Sequence, residues 1–168
     1  MGREVRMVPP GWQHPRNIDG HYIPLHDGDF AGAKKEWEDG LSLWIKGLRD
    51  NFDGGTEEHG ERADIFGWVE WMGKSPRQED YMPEWPRKER TMLMMYENTS
   101  EGTPISPAFK TPEELARWLA DNRASAFADL TASYEDWLDT INRGWACSAV
   151  ADSSGFRSGV EALHQGIK

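Results

Sequence analysis

The sequence predicts an α+β fold: a single compact domain over residues 1–168, with several amphipathic helices packed on a small sheet. Three observations lead there. Apolar residues recur at helical period in several separate stretches, whereas Thr91-Met92-Leu93-Met94-Met95-Tyr96 is a short apolar run of strand length. Two helix starts carry the signature of a capping box, one at Thr111 and one at Ser133. The chain divides by composition into a Pro/Gly-rich arm, 1–29, and an α+β body, 30–168.

In the arm, Pro9, Pro10, Pro15 and Pro24 alternate with Gly11, Gly20 and Gly28, which breaks any helix. Turns and short extended pieces are expected, with Asp19-Gly20 as a hairpin turn. Trp12, Tyr22, Ile23 and Leu25 give the arm apolar content, so it should lie on the body instead of being a disordered tail. From Asp29, a good N-cap, the residues Phe30, Ala33, Trp37, Leu41, Trp44, Ile45 and Leu48 fall on one helical face. Gly40 marks either a break in that helix or the close approach of another element. Residues 51–60 read as a loop. Ile65, Trp68, Val69 and Met72 then predict a short helix ending at Gly73. Residues 75–90 form a Pro-punctuated connector with an extended aromatic segment at Tyr81–Trp85.

The densest run of consistent signals is 89–122: a central strand, a Ser/Thr/Pro loop and a helix capped by Thr111, Pro112 and Glu114. Leu115, Trp118 and Leu119 form its buried stripe. Tyr134, Trp137, Leu138 and Ile141 mark the second capped helix, with Asp136 completing the box, so the two suggest a helical hairpin. Residues 146–151 and 156–162 predict a C-terminal β-hairpin, with a terminal helix over 159–164 as the alternative.

Composition bounds the function. The formal charge of −10, from 29 acidic and 19 basic side chains, argues against direct nucleic-acid binding and against anionic lipid. Cys147 is the only cysteine, so no internal disulfide can form and a reducing compartment is expected. No apolar run reaches transmembrane length, and the start lacks the apolar region of a secretion signal. Arg6 stands where a myristoylation signal needs Ser or Thr. Nine tryptophans suit both cores and interfaces, and most are expected in the core.

Chemistry-bearing patterns are sparse. His14, Asp19, His21, His26, Asp27 and Asp29 are metal-ligand types close in sequence, but no pair has the spacing of a known zinc site. Turn residues and surface histidines are the plainer reading; no metal and no cofactor is expected. Ser100 follows a strand, yet the glycine that precedes the serine of a nucleophile elbow is absent. Cys147 reads as a small core residue. Binding remains. A loop held between a strand and a capped helix is a display platform, which makes Asn98, Thr99, Ser100, Glu101, Thr103 and Ser106 candidate contacts. Trp12, Tyr81 and Trp85, in the aromatic connectors, form a second candidate surface.

The stretches GREVRMVPPGWQHP, GHYIPLHDGDF, YMPEW, YENTSEGTPISPAFKTPEELARWLADN and SYEDWL carry a resemblance. Together they resemble a widespread family of small uncharacterised proteins encoded by tailed bacteriophages and prophages. The likeness runs from Arg3 to about Gly159, and this chain departs from it in a longer acidic stretch over 50–64. It implies a phage-encoded protein located in the cytoplasm of a bacterial host or in the virion, and it brings no activity, ligand or catalytic residue. The leading expectation is a non-enzymatic accessory protein that binds a host or phage macromolecule, a protein first of all. A factor of host defence or DNA processing is one such target. A minor virion protein is the alternative, and an enzyme comes third.

Overall fold

The computed structural model describes residues 2–98, 102–152 and 155–164. In chain order the elements are β1 (Arg3–Val8), α1 (Phe30–Trp44), β2 (Leu48–Asp50), β3 (Thr56–Glu58), α2 (Ile65–Met72), β4 (Met92–Glu97) and β5 (Thr103–Pro104). There follow α3 (Pro112–Asp121), α4 (Tyr134–Arg143), β6 (Trp145–Ala146), β7 (Ala149–Asp152), β8 (Gly155–Ser158) and α5 (Gly159–His164). The class is α+β, with every described strand pairing antiparallel. The chain divides into two compact units: one unites the chain up to Asp27 with the chain from Pro83 onward, and the other is Gly28–Met82.

The first unit is built on a four-stranded sheet of order β5-β4-β1-β6. β4 is central, as its uninterrupted apolar run predicts. Its partner β1 comes from the segment read as a turn-rich arm, with Arg3 opposite Glu97 and Val8 opposite Met92. Charged residues in Arg-Glu-Val-Arg-Met-Val mask the strand pattern, because Arg3 and Arg6 are themselves buried. Arg3 is accommodated by donating to the Ser125 carbonyl (2.9 Å) and Oγ (3.0 Å). Glu97 lies 3.9 Å from its guanidinium. Burial outweighs that neighbour and lowers the Arg3 pKa.

Met95, Leu115, Ala116, Leu119, Trp137, Ile141, Ala146 and Val160 form one continuous core joining the sheet to α3, α4 and α5. Both capping boxes form. The Thr111 Oγ accepts from the Glu114 amide while the Glu114 carboxylate accepts from the Thr111 amide, and Ser133 and Asp136 repeat the exchange. α3 and α4 pack on one another as the helical hairpin expected. At the C-terminal side both readings are realised in succession, β7 pairing with β8 and α5 following directly.

The Gly28–Met82 unit is organised around tryptophan. Trp37, Trp44 and Trp68 are buried together, with Leu41 and Val69 against them. Asp29 caps α1 by accepting from the Gly32 amide at 2.8 Å. The helix runs unbroken through Gly40, and a Cβ there would come within 2.6 Å of the Trp68 ring, so the glycine is a seat for that indole. α1 ends at Trp44, earlier than the apolar period suggests, leaving Ile45 exposed and Leu48 in β2. Residues 51–60, read as a loop, contain β3, which pairs with β2 around a turn where the Asn51 Oδ1 accepts from the amides of Asp53 and Gly55. Thr56-Glu57-Glu58 shows no apolar alternation because this ribbon is largely solvent-facing.

Of the nine tryptophans, Trp37, Trp44, Trp68 and Trp137 are buried, Trp12, Trp85 and Trp118 half-buried, and Trp71 and Trp145 exposed. The core takes fewer than composition suggests. Among the described residues no helix is long and apolar enough to cross a membrane.

Candidate functional site

A cleft of about 760 Å³ opens in the first unit. One wall is the arm, Trp12 to Arg16 with Tyr22; the other is the run from Pro104, the last residue of β5, to Ala108; Met94 and Trp118 also line it. The arm wall has a local cause. Asn17 accepts through Oδ1 from the amides of Asp19 and His21, and Arg16 pairs with Tyr22, which closes a tight turn through Asp19-Gly20. The opposite wall is held by Ser106, whose Oγ accepts from the Met95 amide at 2.9 Å and donates to the Pro107 carbonyl at 2.8 Å.

Beneath the arm lies a chain of directional hydrogen bonds. The His14 Nε2 sits 2.6 Å from the Ile23 carbonyl, which can only accept, so Nε2 carries the proton. The Nδ1 then accepts from the Tyr96 hydroxyl at 3.1 Å, and that hydroxyl accepts from the Trp12 indole N–H at 3.2 Å. Every partner is satisfied with a neutral imidazole. Burial, first, then the charges of Arg6 and Arg16, pushes the His14 pKa below its usual value, against the opposing bond to Ile23. Burial likewise raises the Tyr96 pKa and keeps the phenol protonated. Arg6 lies 4.4 Å over the Tyr96 ring and donates to the Leu25 carbonyl at 2.7 Å, while Glu4 pairs with its Nε. The network therefore fastens the arm to the sheet. Neither ring nitrogen of His14 is left to act on a substrate.

The arm's far end is fastened by backbone. The Leu25 amide donates to the Gly102 carbonyl at 3.2 Å, and a Cβ on Gly102 would fall 2.1 Å from the Leu25 oxygen. With φ at +62° as well, only glycine fits there.

The sequence-derived candidates scatter. Trp12 and Ser106 line the cleft, and Trp85 packs edge-on against Trp12 with centroids 4.7 Å apart. Asn98 is exposed and donates to Glu4, and Thr103 pairs with Glu97 in β5. Thr99, Ser100 and Glu101 lie outside the described residues. Tyr81 belongs to the other unit, where it packs against Phe30. Of the metal-ligand types, His14 is committed to Tyr96 and Ile23, and Asp29 caps α1. His21, His26 and Asp27 are exposed. Among the described residues no three His, Cys, Asp or Glu side chains converge on a common point.

Sequence reasoning missed Gln13, Arg16, Tyr22 and Trp118 as cleft residues. The signal that could have found two of them is the gathering of Trp12, His14, Arg16 and Tyr22 in one short proline-bearing segment, whereas Gln13 and Trp118 give no such signal. No protein-family model, no curated protein and no solved structure matches the chain.

Proposed function

We propose that the protein is a non-enzymatic accessory protein, phage-encoded as its sequence resemblance implies, that binds a partner protein through the cleft of the first unit. One observation supports this above others. The cleft is walled largely by prolyl side chains and the half-buried aromatics Trp12, Tyr22 and Trp118, while His14 and Tyr96, which could have done acid–base chemistry, spend their polar atoms on each other, on the Trp12 indole and on the backbone. Rigid aromatic surface of this kind supplies contact area at low entropic cost, as interface hot spots do. The acidic balance of the chain fits a protein partner better than nucleic acid.

The test is affinity capture from bacterial host lysate with the tagged protein and with Trp118→Ala, followed by reconstitution from purified components. The expected result is a stoichiometric protein retained by the native chain and lost from the variant. Retention of the same protein by a folded Trp118→Ala variant would sink the assignment to this cleft, as would recovery of no stoichiometric protein at all.

A further inference from the structure

We infer that the cleft receives an extended, proline-containing peptide segment that also bears a carboxylate, with Arg16 as the residue that takes the acid. This deepens, and rests on, the protein-binding reading above. Among the described residues no acidic side chain lines the cleft, on a chain that carries 29 of them; Arg16 does line it, and it is exposed. Its guanidinium lies 3.7 Å over the Tyr22 ring and donates through Nη1 to the Gly20 carbonyl, so the fork is held in place while its other N–H groups stay open. A fixed guanidinium suits a carboxylate, which it can meet with two parallel hydrogen bonds.

The balance of donors and acceptors narrows the backbone of the ligand. Trp12, His14 and Ser106 have their polar side-chain atoms engaged internally. Among the lining residues, the Trp118 indole N–H, the Tyr22 hydroxyl and the Gln13 amide have no hydrogen-bond partner among the described residues, and Arg16 keeps open N–H groups beside them. These are mainly donors, so they call for a ligand rich in acceptors. A polyproline II segment answers that need: its carbonyls are unpaired, each proline lacks an N–H, and prolyl rings pack flat on indole and phenol. Strand addition fits poorly, because Pro104 and Pro107 remove amide donors from the wall that would have to pair. A nucleotide fits poorly as well, since a single arginine on a chain of net charge −10 faces several phosphate charges.

The experiment is selection of ribosome-displayed random dodecapeptides on the purified full-length chain, on Arg16→Glu and on Trp118→Leu, with melting curves to verify that both variants fold. The native chain should enrich peptides combining proline with Asp or Glu. Arg16→Glu should keep the proline and exchange the acid for Lys or Arg, and it should bind the original peptides about tenfold more weakly or worse. Trp118→Leu, which keeps the apolar bulk and loses the N–H, should bind every selected peptide more weakly. No enrichment, or peptides held equally by all three proteins, overturns the inference, and so does displacement of the selected peptides by ATP at equal concentration. If the variants lose the captured partner protein and yet no such peptide is enriched, only the ligand class is wrong. If they keep the partner, the assignment of protein binding to this cleft falls too.

Discussion

The two units of this chain solve the same problem in opposite ways. In Gly28–Met82 the interior is indole: Trp44, 1 % exposed, is stacked by His59 at 3.8 Å, and Trp37 and Trp68 complete the cluster. In the first unit the side facing the arm is polar, with Arg6, His14 and Tyr96 all buried and all bonded. Packed rings tolerate small shifts, because dispersion is spread over many atoms. Directional bonds do not, so the polar side fixes one position of the arm and with it one shape of the cleft wall.

That contrast can be broken at either end. Trp44→Ala should cost the most, about 3–5 kcal/mol for truncating a buried indole, read by chemical denaturation. A loss below about 1 kcal/mol would mean the tryptophan cluster is not a load-sharing core. Tyr96→Phe removes the donor to the His14 Nδ1 and the acceptor of the Trp12 N–H, and should cost about 1–3 kcal/mol. The tryptophan fluorescence should also report Trp12 becoming more mobile.

Acidity sharpens the comparison further. Because the folded protein lowers the His14 pKa, the unfolded chain takes up the proton more readily. The stability that His14 contributes is therefore complete above about pH 6.5 and is lost as pH falls from there through the folded-state value. His14→Gln should flatten that slope, whereas Trp44→Ala should lower stability and leave the slope in place. Equal slopes in the native chain and His14→Gln would remove His14 as its source. The smallest expected change is Thr111→Ala, about 1 kcal/mol from losing one half of a capping box on exposed helix-terminal backbone.

What was legible in the sequence is what rests on local chemistry. Thr111, Pro112 and Glu114 define a helix start by themselves, as do Ser133 and Asp136, and the structure has both. The central strand at Met92–Glu97 was legible because it is buried and apolar. β1 was not, since Arg3 and Arg6 look like surface residues until partners distant in sequence, Ser125 and Leu25, are brought to them. The cleft was half legible for the same reason. Trp12 and Ser106 announce themselves by type and position, whereas Arg16, Tyr22 and Trp118 meet only through the tertiary structure, in which Trp118 shows a face to the cleft as well as to the core.

The pairing of β1 with β4 has a kinetic side. Val8 faces Met92, and the whole of Gly28–Met82 lies between them in the chain. Closing so long a loop is entropically slow if the intervening chain is unstructured, and sheets with distant partners fold late. α1, α2 and the β2–β3 ribbon draw on contacts close in sequence, so this segment can fold first and shorten the free chain that remains to be closed. The tryptophan cluster would then set the pace at which a sheet it contributes no strand to is assembled.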